Sequence, residues 1–130
     1  MSADATGATM RWLAAIACAA AATAAHAADA ERGAELYASR CGACHSLDAN
    51  RVGPLHRGVF GRKAGAAPDY AYSPALQRSG LTWNAETLDR WLTNPEGLVP
   101  GQRMGYQLGD AGERADVIEY LRIESASAAK

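Results

Sequence analysis

Lysine is almost missing from this chain: Lys63 and Lys130 are the only two, and arginine carries the rest of the positive charge. With 14 acidic side chains against 13 basic ones the formal net charge is -1, so there is no basic excess of the kind that neutralises nucleic-acid phosphates. Cysteine is scarce as well, with Cys18, Cys41 and Cys44 the only three. No parallel-strand pattern, no long strand and no internal repeat is visible, which excludes a βαβ redox fold and a solenoid. Apolar content is ordinary, though much of it is alanine in the first thirty residues. The length predicts one domain.

What is present at the start reads as an export signal. Met10-Arg11 opens an uncharged run from Trp12 to Ala25, followed by the small-x-small site Ala25-His26-Ala27. A short positive region, an apolar region and a cleavage site are the parts of a secretory leader. The run is too short and too alanine-rich for a membrane span. Met10 is an alternative start, because residues 1–9 contain Asp4 and resemble no positive leader segment. Cys18 lies inside the run, but Ala15-Ile16-Ala17 is a poor lead-in for lipid attachment. The expectation is a cleaved leader over residues 1–27 and one domain over 28–130. An exported domain of about one hundred residues is near the usual domain size.

The stretch with chemistry in it is Cys41-Gly42-Ala43-Cys44-His45. Cys-x-x-Cys-His is the attachment pattern of a c-type haem. Two thiols at this spacing on a helical turn reach the two vinyl groups of one porphyrin, and the next residue sets an imidazole against the iron. A structural zinc site needs further ligands at similar spacing, and only His56 follows. With both thiols consumed by haem, no structural disulfide is expected.

The rest of the chain reads as short helices between long loops. Asp29 caps a helix to about Cys41, with Leu36 and Tyr37 on its apolar face and Gly33 on the same face, where another helix can approach closely. Residues 46–63 and 65–72 read as loops punctuated by Gly and Pro. Pro54 follows Gly53, and its carbonyl is suited to accept from the His45 ring. Ser73-Pro74 starts a helix to about Ser79. Asn84 caps another to about Thr93, with Leu88, Trp91 and Leu92 as its apolar stripe, ended by Pro95. Residues 96–110 read as loop. The last helix runs from Ala111 to about Ile123, with Val117, Ile118 and Leu121 buried, Tyr120 beside them, and a frayed tail from Ser125. Four or five such helices make a poor core alone, and a haem supplies the missing apolar centre.

The iron has a second axial position. Met104 is the only Met of the mature chain, and it sits in the Gly/Pro loop Pro100-Gly101-Gln102-Arg103-Met104 rather than on a helix stripe. A thioether ligand raises the reduction potential relative to two histidines. His56 is the rival. It lies in the loop on the motif's own side, badly placed to reach the opposite face, and otherwise reads as a solvent-facing loop residue.

From Gly33 to about Arg122 the chain resembles class I cytochrome c, in particular the small soluble bacterial carriers related to mitochondrial cytochrome c. The resemblance rests on Cys41-x-x-Cys44-His45, Gly53-Pro54, Phe60-Gly61-Arg62-Lys63-x-Gly65, Tyr72-Ser73, Trp83 and Pro100-Gly101-x-x-Met104. It implies an all-α class I cytochrome c fold around one covalently bound haem c and its iron, with His45 and Met104 as axial ligands. It further implies that Pro54 receives the His45 ring N–H, and that Arg62, Tyr72 and Trp83 surround the buried propionates. Trp91 falls where the family usually has an aromatic over the haem. There are departures. Leu76 and Gln102 stand where the family has a polar and a hydroxyl residue. The basic ring at the haem edge is reduced to Arg57, Arg62 and Arg103.

The function so implied is one-electron transfer in the periplasm by a monomer that is not an enzyme. Its partners would be redox proteins: a cytochrome bc1-type complex or a dehydrogenase as donor, a terminal oxidase or reductase as acceptor.

Overall fold

The computed structural model describes residues 27–130, so the expected leader falls outside the described residues except for its last position. Asp29 starts α1 (Ala30–Leu36): its carboxylate accepts from the N–H groups of Glu31 and Arg32, which have no partner inside the helix. The helical segment runs to Cys41 as read from the sequence, but not as α-helix throughout. It widens into a π-type turn over Tyr37–Cys41, closed by the Gly42 N–H on the Tyr37 carbonyl at 3.0 Å. A Cβ on Gly42 would collide with the Ala38 carbonyl, so this turn needs the glycine.

A long irregular stretch follows. Ser73 then caps α2 (Pro74–Gln77), with Pro74 in the first turn, where a missing N–H costs nothing. Asn84 caps α3 (Ala85–Thr93) in a reciprocal box with Thr87. The stripe read from its periodicity is the face it buries: Leu88, Trp91 and Leu92 are all in the core. Burial of Leu88 and Leu92 contributes about 1.5–3 kcal/mol each.

Two boundaries differ from the reading. Pro95 does end α3, but it also opens α4 (Pro95–Leu98), for which Asn94 serves as cap by accepting from the Gly97 N–H. The last helix, α5 (Ala111–Ala128), extends past Ile123. Ser125 is not frayed but buried, and its hydroxyl accepts from the Phe60 N–H at 3.0 Å. Glu124 beside it meets Arg57 at 2.9 Å. These tertiary partners hold the final turns that local sequence alone would release.

Five helices thus enclose the core, and the described residues form no strand beyond a single antiparallel bridge between Lys63 and Thr82. The fold is the expected all-α one. No helix among the described residues is long and apolar enough to cross a membrane. The main helix crossing joins α1 to α5, and α3 also packs on α5. Gly33 is the contact point, since a Cβ there would land on the Asp116 backbone carbonyl. Asp116 is fully buried, and its carboxylate accepts from the Asp29 N–H at 2.8 Å and from Arg32 at 3.0 Å. It therefore caps α1 from the opposite end of the chain. The loops between the helices fold over one side of this frame and wall a cavity.

Candidate functional site

The Cys41–His45 stretch leaves the π-type turn as a tight helical turn. The N–H groups of Cys44 and His45 both donate to the Cys41 carbonyl, at 3.1 and 2.9 Å. Arg51 clamps it from outside, donating to the Gly42 carbonyl at 2.6 Å. The Gly53 N–H closes the loop on the Cys44 carbonyl at 2.8 Å. Both thiols are free, Cys44 exposed and Cys41 half-buried. Burial, with Cys44 beside it, pushes the Cys41 thiol up to about 11.

The His45 ring is held by its neighbours. Its Nδ1 donates to the Pro54 carbonyl at 2.8 Å. A carbonyl only accepts, so Nδ1 carries the hydrogen and Nε2 keeps its lone pair for another partner. Burial holds the imidazolium down more than the Pro54 carbonyl lifts it. Gly53 packs directly on the ring, where a Cβ would fall 2.5 and 2.6 Å from its two nitrogens.

A cavity of about 760 Å³ opens in front of this motif, within the size range of cofactor sites. All eight residues singled out in the sequence line it: Cys41, Cys44, His45 and Pro54 on one stretch, Arg62, Tyr72 and Trp83 from the middle of the chain, and Met104 from the loop before α5. Core side chains of α3 and α5, among them Trp91, Leu92 and Leu121, supply its apolar floor. Arg62 and Trp83 are brought side by side by backbone pairing, with the Trp83 N–H on the Arg62 carbonyl at 2.9 Å and the Gly61 N–H on the Trp83 carbonyl at 2.7 Å. The Tyr72 hydroxyl is buried and accepts from the Ala67 N–H at 3.1 Å. Trp83 leans on Trp91, ring centroids 5.3 Å apart.

Arg62 is the orphan of the site. One terminal nitrogen donates to the Leu55 carbonyl at 2.8 Å, yet its Nε is buried without any partner. A buried guanidinium N–H with no acceptor is costly, and burial pulls the Arg62 pKa below its usual value. An anionic group lying in the cavity removes that cost. Two free thiols, an imidazole with Nε2 uncommitted, an unsatisfied cation and an apolar floor together fit a haem with two acidic side arms.

The Met104 loop is braced by Gln102, noted in the sequence as a departure, and by Glu96, which the sequence reading passed over. The Gln102 side-chain oxygen accepts from the Met104 N–H, and Glu96 accepts from the Gly101 N–H at 2.9 Å. The hydroxyl residue expected there is thus replaced by an amide that holds the loop backbone. A shallower groove of about 340 Å³ borders this loop at Pro95 and Gln107, but carries no thiol or imidazole.

His56 corrects the sequence reading. It is not a solvent-facing loop residue: it stacks on His45, with ring centroids 4.0 Å apart and planes 20° apart. The Tyr37 hydroxyl lies 3.1 Å from its Nδ1. The backbone explains the placement, since the His56 N–H donates to the Ser46 carbonyl at 3.0 Å and folds the loop back onto the motif. No sequence signal beyond nearness to the motif pointed to the stack.

An all-α frame around one cavity, with paired thiols and an imidazole on its wall, defines a c-type haem protein. Residues 30–123 match the family model for cytochrome c. The chain is 42% identical over 103 residues to cytochrome c 2.1 of Caenorhabditis elegans, covering 77% of this chain and 93% of that one. It is 46% identical over 89 residues to cytochrome c2 iso-1 of Magnetospirillum molischianum, covering 65% and 89%. In structure it is similar to cytochrome cH from Methylobacterium extorquens, with a TM-score of 0.70 and 43% identity over 73% of this chain and 98% of that one. The chain belongs to the class I cytochrome c family, whose members carry covalent haem c and transfer electrons.

Proposed function

We propose that this chain is an exported, periplasmic one-electron carrier in which His45 and Met104 are the axial ligands of a single haem c held by Cys41 and Cys44. The haem supplies a one-electron couple, Fe(II)/Fe(III). The chain's residues keep that couple in place and set its balance. Pro54 fixes the His45 tautomer so that Nε2 faces its partner. Met104 offers a soft thioether that favours the reduced state. Arg62 and the hydroxyl and indole of Tyr72 and Trp83 offset the charge of the haem's acidic arms. Residues 1–27 act as a cleaved leader, and the mature domain works as a monomer. Its partners are other redox proteins: a cytochrome bc1-type complex or dehydrogenase gives the electron, and a terminal oxidase or reductase takes it.

The observation that carries this reading is the common cavity wall. Cys41, Cys44, His45 and Met104 converge on it from two distant stretches, with His45 Nδ1 already committed to Pro54. The test is the absorption spectrum of the exported protein, oxidised and reduced, beside Met104→Ala. The wild type should be low-spin, with a weak long-wavelength Met–Fe(III) band that the variant loses. A high-spin wild type, or an unchanged variant, overturns Met104 ligation and favours a ligand-binding haem protein. N-terminal sequencing of the mature protein checks the leader: a start at Ala28 is expected, and a retained start at Met1 or Met10 overturns cleavage.

A further inference from the structure

The electron-transfer reading gives no task to the second imidazole beside the motif, yet His56 is tied into a continuous chain of rings. Its ring lies 4.0 Å from His45, centroid to centroid, at an interplanar angle of 20°. Its Nδ1 is 3.1 Å from the Tyr37 hydroxyl. Tyr37 is only 6% exposed and packs on Tyr120 of α5 with centroids 5.4 Å apart. His45 is therefore held at three places. The Pro54 carbonyl fixes its Nδ1, Gly53 packs against the ring, and His56 covers its face. A flat neighbour stacked on that face sets the plane of the ring, and an aliphatic side chain of similar bulk has no plane with which to do so.

We propose that His56, anchored by the Tyr37 hydroxyl, is a positioning residue for the His45 imidazole, fixing the plane of that ring and favouring the oxidised state of the haem it faces. This rests on His45 being an axial ligand. The direction follows from polarity. A polar imidazole against the ligand stabilises the extra positive charge of Fe(III), and an apolar replacement withdraws that support.

The test uses the holoprotein in four forms: wild type, His56→Leu, His56→Phe and Tyr37→Phe. Two quantities are read, the redox equilibrium against a dye of known potential and the g-anisotropy of the oxidised protein by electron paramagnetic resonance. His56→Leu should shift the equilibrium about threefold towards Fe(II), or about 28 mV at 59 mV per tenfold for one electron, and change the g-anisotropy. His56→Phe keeps a stacked plane, so its g-anisotropy should stay near wild type while the redox shift remains. Tyr37→Phe frees the His56 ring and should change the g-anisotropy with the imidazole still present. If all three variants keep the wild-type potential and g-anisotropy and only melt earlier, His56 is packing and the proposal fails. A wild type lacking a low-spin signal overturns His45 ligation itself, and that failure shows before any variant is made. If His56→Leu does not fold, the Phe and Tyr37 variants still decide the matter.

Discussion

Gly53→Ala puts one methyl group where the His45 ring already lies. The new Cβ would sit 2.5 and 2.6 Å from the two nitrogens of His45, well inside contact distance. Gly53 has no positive φ, so alanine adds no backbone strain, and it gains about 0.4–1 kcal/mol by restricting the unfolded chain. Against this stands overpacking of about 1–3 kcal/mol. The His45 ring can yield only by leaving the Pro54 carbonyl, which forfeits about 1 kcal/mol more. The net cost is about 1–3 kcal/mol, a fall in Tm of about 5–20 °C for a domain of this size. Thermal melts of the holoprotein, followed by circular dichroism and by the haem absorption band, measure it. The control is Gly58→Ala, where φ is +76° and no atom lies within 4 Å of the added Cβ. That variant should lose about 1–2 kcal/mol to left-handed strain and leave the haem absorption spectrum untouched, whereas Gly53→Ala should alter it. If Gly53→Ala melts within about 2 °C of wild type with an unchanged spectrum, the close seat of His45 on Gly53 is refuted.

Other consequences follow from the same contacts. Asp116→Asn keeps the volume but loses the charge that Arg32 and the α1 N-terminus meet, so denaturant melts should show a loss of about 1–2 kcal/mol; an unchanged midpoint would mean the buried carboxylate contributes nothing. Ser125→Ala leaves the Phe60 N–H without an acceptor and should cost about 1–3 kcal/mol, whereas a truly frayed tail would show no effect. Burial raises the Tyr37 pKa far above that of free tyrosine. The folded state therefore keeps a proton that the unfolded chain releases near pH 10, and stability should fall as pH rises above that value. Tyr37→Phe should flatten this alkaline slope, and an identical slope in the variant would refute a buried Tyr37 hydroxyl.

The cofactor motif was legible because its chemistry is local: Cys41, Cys44 and His45 carry their meaning in their spacing. The α3 stripe was legible for the same reason, since Leu88, Trp91 and Leu92 fall on one face at the helical period. What escaped was set by distant partners. Ser125 looks like tail until the Phe60 N–H is found against it. His56 looks like a loop polar residue until the backbone of the 46–57 loop folds it onto His45. Pro95 ends one helix and begins another only because Asn94 can cap in both directions. Arg51 and Glu96 act through carbonyl and amide groups of the backbone, which leave no mark in a pattern of side chains.

The crossing of α1 on α5 has a bearing on the order in which the protein is made. Gly33 meets the Asp116 backbone, and Asp116 in turn caps α1, so the first helix has its partner only after nearly the whole chain has emerged. Until then the frame behind the cavity is incomplete, and the stretch that carries Cys41 and His45 lacks the wall it faces in the folded chain. Closing so long a loop is slow relative to local helix formation. The first helix is thus the earliest part of the domain to leave the ribosome and among the last to be locked in place.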